Sequence, residues 1–138
     1  MMAAIGRAVR ALSRWALLAS ALAVAACESP EERVESHYRR GLALFETGSQ
    51  ENVQRAALEF RNALRLDRDH APSRLGLGKV QEARGDLRAA VGSFRAAATL
   101  DPAAAEPRWR LAQILTVAGE LDEARTFADA AARLAPED

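Results

Sequence analysis

The chain holds a single cysteine, Cys27, among 138 residues, so no internal disulfide can staple it. Aromatic residues are 5% of the composition, and β-branched residues are few. A core therefore has to be built from Ala and Leu, which are strong helix formers, and this disfavours a sheet. The two histidines, His37 and His70, have no second histidine or cysteine at ligand spacing, so the sequence offers no zinc site or other metal site. Charge of one sign is also missing. The 19 basic residues balance 19 acidic ones, and there is no basic face to suit a nucleic acid. What is present is 49% hydrophobic residues, enough for one packed domain.

The first 27 residues differ from the rest. Arg7, Arg10 and Arg14 lie there and no acid does, which leaves 16 basic and 19 acidic residues from Cys27 onward. An apolar run, Trp15–Val24, is followed by Ala25, Ala26 and Cys27. A basic start, a short apolar stretch and small residues are the parts of a secretory signal peptide. The run is shorter than the ~20 residues that a membrane-spanning helix needs. Next, Ser29-Pro30-Glu31-Glu32 predicts a helix start, with Ser29 as N-cap, Pro30 in the first turn and Glu32 closing a capping box.

The remainder repeats itself. Leu77, Gly78, Gly85, Asp86, Leu87, Ala90, Phe94, Ala97, Leu100 and Pro102 are each followed, 34 residues on, by Leu111, Ala112, Gly119, Glu120, Leu121, Ala124, Ala128, Ala131, Leu134 and Pro136. A looser copy from Val34 has Gly41, Leu44, Gly48, Ala56, Phe60, Ala63 and Leu66, with three extra residues between Gly48 and Ala56. Those extra residues are expected to lengthen the turn, where added length costs little. Gly48, Gly85 and Gly119 read as helix ends in the left-handed conformation, and Asp86 and Asp122 as acids near the start of the next helix. Phe60 and Phe94 read as the side chains that fill the space between repeats. Ala128 stands in their place in the last copy, where Phe127, one residue earlier, is positioned to compensate.

This pattern resembles the tetratricopeptide repeat, a helix–turn–helix unit that stacks into a solenoid. The resemblance implies an all-α, right-handed α-solenoid of three repeats, residues 34–70, 71–104 and 105–138, with a concave face lined by the first helix of each pair. The residues carried onto that face are Glu35, Tyr38, Leu42 and Phe45, then Pro72, Leu75, Lys79 and Glu82, then Glu106, Trp109, Gln113 and Thr116. Of these, Tyr38, Leu42, Phe45, Leu75, Lys79, Glu82, Trp109, Gln113 and Thr116 are the candidate groove for a protein or peptide partner. The family's carboxylate-clamping mode needs Lys and Asn where this chain has Tyr38 and Leu42, so that mode is not expected.

Val24-Ala25-Ala26-Cys27 in turn resembles the lipobox of bacterial lipoproteins. That resemblance implies residues 1–26 as a signal peptide, lipid on Cys27, and residues 27–33 as a short tether. Glu28, which is not Asp, fits sorting to the outer membrane, periplasmic face. The competing reading is an ordinary signal peptide that leaves Cys27 as a free thiol. Together the two resemblances imply a palmitate-bearing envelope scaffold with no cofactor and no catalytic role. An alternative is a regulator that docks peptidoglycan hydrolases or proteases at the membrane. Gly76-Leu77-Gly78-Lys79 lacks the spacing of a phosphate loop, because Ser73 stands where its first Gly belongs and Val80 replaces its Ser or Thr. The expected consequence of the anchor is simple: Cys27→Ser shifts the protein from the membrane to the soluble fraction on cell fractionation. Unchanged membrane retention would remove the lipid from the reading.

Overall fold

A computed structural model describes residues 28–135; the signal-peptide and lipidation readings for residues 1–27 lie outside the described residues, as does Pro136. The described residues form six helices and no strand: α1 Pro30–Glu46, α2 Gln50–Leu66, α3 Ala71–Ala83, α4 Leu87–Leu100, α5 Glu106–Ala118 and α6 Leu121–Leu134. From Arg33 on the chain is one compact unit with its own core. No helix among the described residues is long and apolar enough to cross a membrane.

The helix ends are written in the sequence. The Ser29 hydroxyl accepts from the Glu32 N–H at 3.1 Å, and the Glu32 carboxylate accepts from the Ser29 N–H at 2.7 Å, the reciprocal pair of a capping box. Asp86 caps α4 by accepting from the Ala89 N–H at 3.2 Å. Gly48, Gly85 and Gly119 are the only described residues with positive φ, at 68°, 77° and 82°. After α3 and α5 the chain closes in the same six-residue bond: Asp86 N–H to the Gln81 carbonyl, and Glu120 N–H to the Leu115 carbonyl, both 2.9 Å. Arg68 replaces the proline that follows the second helix elsewhere. Asp67 stops α2 without it, accepting from the Asp69 N–H at 2.9 Å, as Asp101 accepts from Ala103 at 3.0 Å.

One expectation is corrected. The three extra residues of the first repeat do not lengthen its turn. They extend α2 to 17 residues where α4 has 14. Ser49 caps this longer helix by accepting from the Asn52 N–H. Once nucleated, a helix gains one hydrogen bond per added residue, whereas a longer turn gains none.

The helices pack as nearest neighbours, α2 on α3, α3 on α4, α4 on α5 and α5 on α6, the connectivity of a solenoid. Two phenylalanines set the spacing. Phe60 and Phe94 are fully buried. Phe60 lies between two glycines: a methyl group added to Gly41 would sit 2.7 Å from its ring, and one added to Gly76 2.5 Å from it. Phe94 presses on Gly78 in the same way, at 2.5 Å. The helices thus approach through bare backbone, and the ring fills the gap. Ala56, Ala90 and Ala124 keep each pair tight and are at most 4% exposed. Between α3 and α4 the buried Ser93 hydroxyl donates to Gln81 Oε1 at 2.6 Å. Phe94→Ala is expected to lower the unfolding free energy by ~3–5 kcal/mol, measured by urea denaturation followed by circular dichroism. A loss below ~1 kcal/mol would mean that the ring is not holding the repeats together.

Candidate functional site

The first helix of each pair carries the groove candidates, and the structure sorts them into three environments. Tyr38, Leu42 and Phe45 on α1 are half-buried and rest against the cluster around Phe60. The Tyr38 ring lies 6.2 Å from Phe60, and edge-on to His70 at 5.4 Å. Leu75 is half-buried against the cluster around Phe94. These four present part of an apolar surface while being held firmly from behind.

Lys79 and Glu82 are committed to charges of the next repeat. Lys79 Nζ is 2.6 Å from Glu106 Oε1, and Arg110 Nη1 is 3.3 Å from Glu82 Oε2. Arg110 also reaches Glu106 at 3.5 Å. Phe45, Lys79, Glu82 and Arg110 line a recess of about 230 Å³. Arg110 was not among the groove candidates. It occupies the repeat position of Gly76, 34 residues on, and a glycine-to-arginine change at one register was the available signal.

Trp109, Gln113 and Thr116 come together, but on a different cleft. They line a space of about 710 Å³ between α5 and α6, with Trp109 53% exposed. Phe127 does not compensate for Ala128 there. It is half-buried against the cluster that Ala90 and Phe94 of the preceding repeat form with Leu111, Ile114, Leu115 and Ala124 of its own, and it does not line the cleft. One residue along a helix turns the side chain through about 100°, which takes Phe127 out of line with Phe60 and Phe94.

Both histidines have structural partners. His37 Nδ1 lies 2.7 Å from Glu59 Oε2 on α2, and Arg40 shares that carboxylate at 3.4 Å. His70 is the N-cap of α3: its Nδ1 accepts from the Ser73 N–H at 3.3 Å and lies 2.8 Å from the Ser73 hydroxyl. The sequence did not mark this role, because Ser, Thr, Asp and Asn are the usual caps. Arg108 was missed as well. It donates to the Ala104 carbonyl at 2.5 Å and to the Ala98 carbonyl at 3.0 Å, closing the last turn of α4 onto α5. Among the described residues no group of three or more His, Cys, Asp or Glu side chains could hold a metal ion.

The tetratricopeptide repeat profile matches residues 48–105 and 75–138, more than half of the chain, and the chain belongs to that family. No curated protein matched. Several solved structures share the fold. The type III secretion chaperone SycD of Yersinia enterocolitica, in complex with a peptide of the translocator YopD, is 26% identical with a TM-score of 0.67, over 72% of this chain and 74% of that one. PcrH, in complex with the chaperone-binding region of PopB, is 25% identical with a TM-score of 0.69, over 77% and 83%. A type III secretion complex from Aeromonas hydrophila is 28% identical with a TM-score of 0.69, over 75% and 67%. The fold is a scaffold for protein interaction.

Tyr38 gives the groove a spectroscopic handle, since it is the only tyrosine. Burial raises its pKa first, and the carboxylates of Glu35 and Glu106 raise it further. The phenol is expected to ionise above the usual value of about 10 in an ultraviolet titration of the folded protein. The sign for stability follows. The folded state holds this proton more tightly than the unfolded one, so this contribution is fully present below pH ~10 and is lost as pH rises toward the folded pKa. A midpoint at or below about 10 would place Tyr38 in open solvent.

Proposed function

We propose that the chain is an envelope adaptor, carried on lipid at Cys27 on the periplasmic side of the outer membrane, that holds a segment of another protein along α1 and α3. The observation that carries this is that Tyr38, Leu42 and Phe45 on α1 and Leu75 on α3 are half-buried, apolar and each backed by a buried cluster. Such side chains give up little rotamer freedom on binding, which is what makes an anchor surface efficient. Beside them, Lys79, Glu82, Glu106 and Arg110 are already paired with one another. A partner can skirt these pairs but gains little by breaking them, so the contact is expected to be led by apolar side chains. SycD with a YopD peptide and PcrH with a PopB region support this reading, as relatives in fold that hold segments of other proteins.

The test is photo-crosslinking in cells from an unnatural residue at Leu42 or Tyr38, with Leu58, 57% exposed on α2, as the control position. One envelope protein captured from both groove positions, and not from Leu58, is the expected result. Equal capture from all three positions, or none from the groove with normal protein abundance, would contradict the proposal.

A further inference from the structure

The last helix pair is built like the two before it, except that its ring is missing. In the first pair Phe60 lies on Gly41, and in the second Phe94 lies on Gly78. The equivalents in the third are Ala128 and Ala112, and both line the open cleft of about 710 Å³. Three of the large exposed apolar side chains of the described residues belong to the same cleft: Trp109 at 53%, Val117 at 81% and Leu121 at 62% exposed. Exposed apolar residues scattered singly are ordinary, but three around one hollow are a patch.

The patch carries both halves of a match. Its floor is alanine where the first two pairs have an aromatic ring, and its rim holds Trp109, the largest exposed aromatic side chain of the described residues. In a two-fold contact one surface meets a copy of itself, so a knob and a hole must both lie on it. The charges agree. Arg125 lines the cleft, while Glu120 and Asp122 are exposed on either side of Leu121. None of the three is in an ion pair among the described residues, and a second copy brings the opposite sign to each.

Head-to-tail stacking does not offer the same fit. Within the chain it is Gly76 and Val80 of α3 that close over the first pair, both buried. At the same register α1 has Arg39 and Ala43, and Arg39 is exposed and paired with Glu35 at 2.9 Å. Placing α1 of another copy on the open end would press that guanidinium into an apolar hollow.

We infer that the α5–α6 end joins two copies of this chain in a two-fold dimer, with Trp109 of each copy seated over Ala112 and Ala128 of the other.

The experiment uses residues 28–138, which contain the whole compact unit and have Trp109 as their only tryptophan. Sedimentation equilibrium is expected to show a dimer, and tryptophan emission to move to shorter wavelength as concentration rises. Trp109→Ala removes the knob, and Ala128→Phe fills the hole from within. Each is expected to weaken association by at least about tenfold, as loss of a central aromatic anchor does, while the helical circular dichroism stays unchanged. A monomer at all accessible concentrations, oligomers that grow beyond two, or a dimer untouched by both variants would each overturn the inference. So would a monomer whose Trp109 shifts only on adding an aromatic-bearing helix from another protein. Crosslinking at Leu42 reads the groove independently of all these outcomes.

Discussion

The structure depends on a phenylalanine ring laid against bare glycine backbone. A single helix pair cannot bury its own apolar face, and the chain has few aromatic residues with which to fill gaps. Phe60 and Phe94 are the two largest side chains that are fully buried. They serve because Gly41, Gly76 and Gly78 carry nothing that would hold the helices further apart. A glycine inside a helix costs about 1 kcal/mol relative to alanine, and here that cost is offset by the contact it allows. Tyr38 rests on the Phe60 cluster that this contact builds, and the end at α5 and α6 lacks the contact, with Ala112 and Ala128 in place of glycine and ring.

The helices pack backbone to backbone on their neighbours along the chain, while side chains of alternate helices meet, as Lys79 and Glu106 do, and the stack leaves two kinds of surface. The first is made by half-buried apolar side chains of α1 and α3, with a ladder of charges that spans repeats two and three. Those pairs are partly exposed, and such pairs contribute at most ~1 kcal/mol each. Their role is better understood as occupancy: Lys79, Glu82 and Arg110 satisfy one another and leave the apolar side chains to set what binds. The second is the end of the stack, where the repeat pattern continues but one of its residues does not.

Much of this was legible in the sequence, because the repeat spaces its residues so regularly. Gly85 and Gly119 at the turns, Asp86 at the start of α4, and Ser29 with Glu32 at the start of α1 carry their own chemistry and needed no partner to be read. The fully buried state of Phe60 and Phe94 followed from their register. Other features depend on a neighbour far along the chain. Gly76 had no role in the repeat pattern until Phe60, on another helix, was seen to lie on it. Lys79 looked like a groove cation, but its partner Glu106 is 27 residues away. Arg108 and His70 are unusual residues for the capping work they do, so propensity pointed elsewhere. The extra residues in the first repeat were read as turn because insertions are common there, while Ser49 had already fixed them as helix. Trp109 shared a register with Tyr38, yet with no fourth pair among the described residues it borders a different cleft.

The most direct measurement is a double-mutant cycle between Phe60 and Gly76, read from urea unfolding. If the ring and the bare backbone hold each other, Gly76→Ala destabilises the parent protein and becomes neutral or stabilising in a Phe60→Leu background, because the smaller side chain makes room for the methyl group. Equal effects of Gly76→Ala in the two backgrounds would mean that the repeats are held together by something else.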